Sequence, residues 1–228
     1  MTLLEKTTSR IVPQDPAFRQ RARERLDQLT MPHWALGRLM DLAIDLAGIT
    51  RSMRPPTEKR VVVVMAADHG VVAEGVTKYP QEVTRQMVFN FLRGGAGINA
   101  LAHLANATVI VVDMGVAGDL SEALDSSSFV SRPIGPGTAN IAVGPAMSRT
   151  DAIRSVETGI QIALDFGSSY DLVGTGDMGL GNTTPSSAII AAFTGSPPDQ
   201  VTGRGTGIDD DQFKHKVGVV NKILQMNK

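Results

Sequence analysis

Two hydrophobic periods divide the chain. Residues 13–50 read as helical. Pro13, Asp15 and Pro16 open a segment rich in Arg, Glu and Gln, and Pro32 precedes Trp34, Leu36, Leu39, Met40, Ala43, Ile44 and Ala47. Spacings of three and four predict one apolar stripe on a helix, packing a small helical subdomain. Arg51 to Lys59, with Pro55-Pro56, reads as a linker. The pattern then changes. Val61 to Ala67 is a continuous apolar run led by four valines, which suits a parallel strand buried on both faces. Asp68-His69-Gly70 ends it. Residues 80–104 predict a long helix, interrupted at Gly94-Gly95-Ala96-Gly97 by a kink or a close helix contact. Thr108 to Asp113 predicts a second strand, closed by Met114-Gly115. Ser148 is the expected N-cap of a helix over 149–165, with Asp151 in its first turn. Asp171 to Gly176 predicts a third strand entering a glycine-rich turn, and helices follow over 182–193 and 209–227.

Strands alternating with helices predict an α/β fold: a parallel sheet flanked by helices over residues 60–228, with a small N-terminal helical segment and linker over 1–59. Ligands of such sheets sit at the carboxyl ends of the strands. Asp68-His69-Gly70, Asp113-Met114-Gly115 and Gly174-Thr175-Gly176-Asp177 all follow predicted strands, so they are expected along one rim.

Composition narrows the function. Glycine supplies 23 of 228 residues and aromatics only 4%, which favours glycine-rich loops on an aliphatic scaffold. The net charge of −1 lacks the basic surplus of a nucleic-acid binder. Cysteine is absent, which excludes a disulfide scaffold, cysteine-ligated zinc and thiol catalysis. No apolar run approaches a membrane span and the N-terminus has no apolar signal core, so a cytoplasmic protein is expected.

The densest local signal is Gly174-Thr175-Gly176-Asp177-Met178-Gly179-Leu180-Gly181-Asn182-Thr183-Thr184. Glycines let backbone N–H groups approach an anion, and the helix they open favours phosphate at its N-terminus. The other reading is a tight strand-to-helix turn. The segment is neither a Walker A loop nor the dinucleotide fingerprint. A second loop, Gly203-Arg204-Gly205-Thr206-Gly207, is followed by His215-Lys216; Arg204 and Lys216 are candidate partners for a phosphate or carboxylate. The Asp209-Asp210-Asp211 run invites Mg²⁺, but helix capping is the simpler reading. Asp68-His69 has the chemistry of a base or metal pair. With only four histidines, at 33, 69, 103 and 215, no metal cluster is expected. His33 reads as helix surface and His103 as packed. Tyr79-Pro80 opens a helix on which Gln86 and Met87 share a face, either to meet a flat ligand or as part of an ordinary amphipathic helix.

From Ala67 to about Val220 the chain resembles the nicotinate-nucleotide–dimethylbenzimidazole phosphoribosyltransferase family. The matching blocks are Ala67-Asp68-His69-Gly70-Val71, Glu74-Gly75-Val76, Tyr79 to Thr84, and Asn90-Phe91-Leu92 through Gly97-Ile98-Asn99. Gly137-Thr138-Ala139-Asn140, Gly144-Pro145-Ala146-Met147, the Gly174–Thr184 loop and Gly203–Gly207 with His215-Lys216 continue the match. The resemblance implies transfer of phosphoribose from nicotinate mononucleotide to 5,6-dimethylbenzimidazole, giving nicotinate and α-ribazole 5′-phosphate for the lower ligand of cobalamin. It also implies a Rossmann-like parallel sheet, a homodimer, and no metal or other cofactor. It assigns phosphate and ribose binding to Gly176, Gly179, Gly181, Asn182, Thr183, Arg204, Gly205 and Lys216. The benzimidazole goes to Tyr79, Pro80, Gln86 and Met87, and a secondary catalytic role to Asp177, where the family usually carries Glu.

The family's principal base is a Glu in a C-terminal Arg-Leu-Gly-Glu-Gly-Thr-Gly-Ala motif, which this sequence lacks. The expectation is therefore a C-terminally truncated member, weak or inactive alone. The rival readings are a non-catalytic binder of the nucleotide or a benzimidazole and, last, a Rossmann-type oxidoreductase, which lacks the required Gly-x-Gly-x-x-Gly after its first strand.

Overall fold

The valine run builds the centre of the sheet. In the computed structural model, which describes residues 1–227, it forms β1 (Arg60–Ala67), flanked by β2 (Ala107–Gly115) and β4 (Leu172–Met178). A short β3 (Phe129–Ser131) completes the order β3-β2-β1-β4, and every pairing is parallel. Val63 lies opposite Ile110 on one side and Thr175 on the other. Because successive side chains alternate between faces, β1 feeds two cores. Val61 and Val63 join Ile110, Val112 and Ile162 of α6 (Arg149–Gly167). Val64 and Ala66 join Val111 and, from α4 (Glu82–Leu92), Val88 and Phe91. Burying each such valine is worth about 1.5–3 kcal/mol, so four aliphatic residues of one strand anchor both helix layers.

A third core packs α7 (Thr183–Thr194) on α9 (Asp210–Met226), through Ala188, Val219, Val220 and Ile223. The one-turn helix α8 (Pro198–Val201) lies between them in the chain. The predicted caps form. Ser148 Oγ accepts the Asp151 N–H at 3.1 Å, and Asp209 Oδ1 accepts the Gln212 N–H at 2.9 Å in a capping box. The interruption at residues 94–97 separates two helices, α4 and α5 (Gly97–Leu104). Asn99 joins them, accepting the Ala96 N–H at 3.1 Å and donating to the Phe91 carbonyl at 3.0 Å.

Several expectations need correction. β3 carries three residues, too few to show a period, and β4 is the fourth strand rather than the third. β4 lies at the sheet edge, and residues 173–175 on it are exposed. His103 is exposed rather than packed, and His33 sits in a turn.

The chain divides into two compact units, Met1–Lys59 and a second beginning at Arg60. The first contains α1 (Leu3–Thr8), α2 (Pro16–Asp27) and α3 (Arg38–Thr50). Its core is Ala22, Ile44 and Ala47, with Leu26, Trp34 and Met53 against it. The predicted stripe is shorter than expected. Trp34 has a positive φ and precedes the helix, whose N-cap is Gly37, while Leu36 and Leu39 are exposed. Pro32 and the left-handed turn delay helix entry, so the buried face begins at Met40. Among the described residues no helix is long and apolar enough to cross a membrane.

Candidate functional site

The three rim segments meet through their backbones. The Asp68 N–H donates to the Gly115 carbonyl at 2.9 Å, and the Asp68 carbonyl accepts the Thr138 N–H at 3.0 Å. The turn after β4 closes on the same place. A Cβ on Gly179 would lie 2.1 Å from the Ala67 carbonyl oxygen, so this position excludes any side chain. Thr84 Oγ1 accepts the Leu180 N–H at 3.1 Å and ties the turn to α4.

Past that turn, a hollow of about 120 Å³ is lined by Gly179, Gly181, Asn182, Thr183, Gly205 and Thr206. Local chemistry explains its shape. Asn182, at the N-cap of α7, makes no side-chain cap bond to the helix. The Asn182 and Thr184 N–H groups donate to the Gly179 and Gly181 carbonyls at 3.1 and 3.0 Å, and residue 185 is a proline. What the hollow receives from α7 is therefore the positive end of its dipole rather than a row of free N–H groups. The Asn182 side-chain amide donates to the Asp177 carboxylate. Gly205 has a left-handed φ of +53°, and a Cβ there would sit 3.0 Å from Thr183 Oγ1 and 3.1 Å from Lys216 Nζ. The loop therefore lies directly over a lysine.

Lys216 is the unusual group. It is 1% exposed, and its ammonium donates to Thr183 Oγ1 at 2.7 Å and to the Gly203 carbonyl at 3.0 Å. Among the described residues no carboxylate pairs with it. Burial pushes its pKa below the ordinary lysine value. An ammonium held by neutral oxygens behind an open hollow is a site short of one negative charge. Its helix is fastened to the turn at Gly70–Glu74: His215 Nε2 lies 2.6 Å from the Glu74 carbonyl oxygen, and Lys222 Nζ donates to Glu74 Oε2 at 3.0 Å.

The other sequence-derived candidates separate. Gly176 pairs with Val64 inside the sheet, and Asp177 stands exposed at the end of β4. Arg204 does not turn toward the hollow. Its guanidinium binds Asp210 and the Ile208 carbonyl and stacks on Phe213, because the adjacent acidic run offers nearer partners. Thr184 points into the interior, 0% exposed. Tyr79, Pro80 and Gln86 are exposed near the start of α4, while Met87 packs against the core beneath that helix. The acidic run caps α9, and among the described residues no group of three His, Asp or Glu side chains could hold a metal ion.

Sequence reasoning missed Thr77 and Thr206, whose hydroxyls lie 3.2 Å apart at the hollow's edge, and Lys78, which donates to the Gly207 carbonyl. The hydroxyl inside the Gly-Arg-Gly-Thr-Gly run was the available signal. His69 lies between the turn and the rim. Desolvation lowers its pKa, and the Asp68 and Asp177 carboxylates offset part of that shift.

Comparison with known proteins places the chain among phosphoribosyltransferases. The family model described as phosphoribosyltransferase matches residues 11–228. The nicotinate-nucleotide–dimethylbenzimidazole phosphoribosyltransferase of Syntrophotalea carbinolica is 60% identical over 227 residues, covering 100% of this chain and 64% of the relative. The protein of the same name from Desulfotalea psychrophila is 52% identical with the same coverage. The crystal structure of CobT from Thermus thermophilus superposes with a TM-score of 0.86 at 47% identity, over 92% of this chain and 62% of that one. The chain thus spans about 64% of the length of the curated relatives it matches.

Proposed function

Because the chain belongs to the phosphoribosyltransferase family, we propose that it supplies the nucleotide-phosphate site of an enzyme moving phosphoribose from nicotinate mononucleotide to 5,6-dimethylbenzimidazole. The buried, carboxylate-free Lys216 behind the Gly179–Thr183 hollow is the observation that carries this reading. A phosphate there receives the positive end of the α7 dipole, the Thr183 and Thr206 hydroxyls and the field of Lys216.

The chemistry asks little else of these residues. The pyridinium of the nucleotide is already a good leaving group. A benzimidazole nitrogen attacks C1′ from the opposite face, and the C1′–N bond to the pyridinium breaks with its electron pair going to the ring, so nicotinate departs. The configuration inverts, and the proton on the second benzimidazole nitrogen passes to a base. Asp177, oriented by Asn182, is proposed as a secondary carboxylate facing the cationic ring or the incoming base. Its negative charge suits neither end of a phosphate. The principal base is proposed to lie outside residues 1–228, which makes this chain weak or inactive alone; assembly as a homodimer belongs to the same reading. Tyr79, Gln86 and Met87 remain the proposed benzimidazole contacts by resemblance.

Lys216→Ala is expected to weaken nicotinate mononucleotide binding by about 1.5–3 kcal/mol, the scale of a charged hydrogen bond, and to leave nicotinate itself little affected. Titration calorimetry reads both, and unchanged nucleotide affinity removes Lys216 from the site. Joining the chain to the remaining part of a relative is expected to raise α-ribazole 5′-phosphate formation by the ~10²–10⁴-fold that a general base contributes. In that fusion Asp177→Asn should slow turnover more than it weakens nucleotide binding. A bare chain turning over at the rate of an intact relative would overturn the proposal of an external base.

A further inference from the structure

Lys216 stands on a helix whose apolar packing does not by itself decide where the ammonium sits. The buried face of α9, Val219, Val220 and Ile223, packs with Val71, Val76, Ala142 and Ala188. Such contacts are non-directional, so they hold the helix close without fixing how far it slides along its axis or turns about it. Hydrogen bonds, with their narrow distances and angles, do fix that.

Glu74 makes three of them. Its carbonyl oxygen lies 2.6 Å from His215 Nε2, and a carbonyl only accepts, so this nitrogen carries the proton. Its carboxylate Oε2 accepts from Lys222 Nζ at 3.0 Å, about two turns further along α9. The two contacts bracket Lys216 in the chain. The other carboxylate oxygen, Oε1, accepts from the Asn140 amide at 2.7 Å. Asn140 is fixed in turn, because its Oδ1 accepts the Ala142 N–H at 2.9 Å. Thr138, two residues earlier, donates its N–H to the Asp68 carbonyl at the end of β1. Both carboxylate oxygens are therefore used, and the bonds from Asn140 and Lys222 hold the Glu74 carboxyl below the ordinary glutamate value. Three residues on, the Thr77 hydroxyl meets Thr206 at the edge of the hollow. Glu74 thus ties the segment at the strand end to the lysine helix, and it does not itself line the hollow.

We infer that Glu74 is the positioning residue of the phosphate site: bound to Asn140 on one side and to His215 and Lys222 on the other, it sets where Lys216 Nζ meets a phosphate. The role rests on the proposed nucleotide-phosphate site and adds to it a residue that touches no substrate.

A double-mutant cycle tests it, read by calorimetry with nicotinate mononucleotide on the 228-residue chain. Glu74→Gln keeps the size of the side chain but turns an N–H toward one of its two donors. It should weaken the nucleotide at least ~5-fold, within the range by which residues of one hydrogen-bond network couple. Nicotinate, which has no phosphate, should bind as before. In the Lys216→Ala background the same substitution should weaken the nucleotide less than ~2-fold, because its effect passes through the lysine. A merely structural loss would weaken both backgrounds alike. Lys222→Met keeps the stem and removes the ammonium, so the test survives if Glu74→Gln does not fold. It should also weaken the nucleotide, while Lys222→Arg, which can still donate to Glu74, should bind it as the parent does. Equal losses in the two backgrounds, a matching loss of nicotinate, or parental nucleotide affinity in both Glu74→Gln and Lys222→Met would each overturn the inference and leave Lys216 in the site. Unchanged affinity in Lys216→Ala alone would overturn the phosphate site itself, and the positioning role with it.

Discussion

Burial without a matching charge is the theme at the level of single residues. Lys216 and Asp68 bear opposite formal charges, are each about 1% exposed, and have only neutral hydrogen-bond partners. His69 carries a related consequence for pH. Desolvation sets its folded pKa below 6.5, despite the opposing fields of Asp68 and Asp177. Between the lowered folded value and 6.5 the unfolded chain binds more protons than the folded one. Stability should therefore rise with pH through that window, fall as the solution is acidified through it, and show no further contribution from this imidazole below it. Urea midpoints at about pH 7.5 and about pH 5.5 should differ by less in His69→Gln than in the parent once the shared carboxylate contribution is subtracted. An unchanged difference would mean that the imidazole is not the titrating group.

At the level of elements, α9 presents Lys216, and its N-terminus is closed by the Asp209–Gln212 capping box. The cap itself was readable from the Asp209-Asp210-Asp211 run, because capping is a local exchange between neighbours, while the structure added Gln212 as its reciprocal partner. Asp209→Ala should cost about 1 kcal/mol of stability. Lys216 lies two turns away, in a helix also held at Glu74 by His215 and Lys222, so nucleotide affinity should change by less than about threefold, which is under 1 kcal/mol. Denaturant titration and calorimetry on one preparation separate the effects. A large affinity loss would show that the cap, rather than the Glu74 fastening, sets the position of the lysine.

For the whole molecule, the open side of β4 is the main liability. An edge strand presents unpaired N–H and C=O groups, and charge on such a strand discourages pairing with another chain. Val173 is 43% exposed on β4. Val173→Lys should reduce concentration-dependent association in sedimentation velocity while leaving the fold intact; unchanged association would place the contact elsewhere. The sequence by itself determined the strands β1 and β2, the caps at Ser148 and Asp209, the α/β class and the gathering of three glycine-bearing segments on one rim. Each follows from period, capping chemistry or the geometry of parallel strands, which act within a few residues or through a general rule. The family blocks were legible for the same reason, since they are runs of neighbours. Only the tertiary structure decided that β4 lies at the edge, that Trp34 precedes its helix, and that Arg204 goes to Asp210 while Lys216 lies beneath Gly205. It alone brought Asn140 and Lys222, 66 and 148 positions away, to the two carboxylate oxygens of Glu74. Those outcomes depend on which distant surfaces exclude water from a side chain, and no local pattern encodes that.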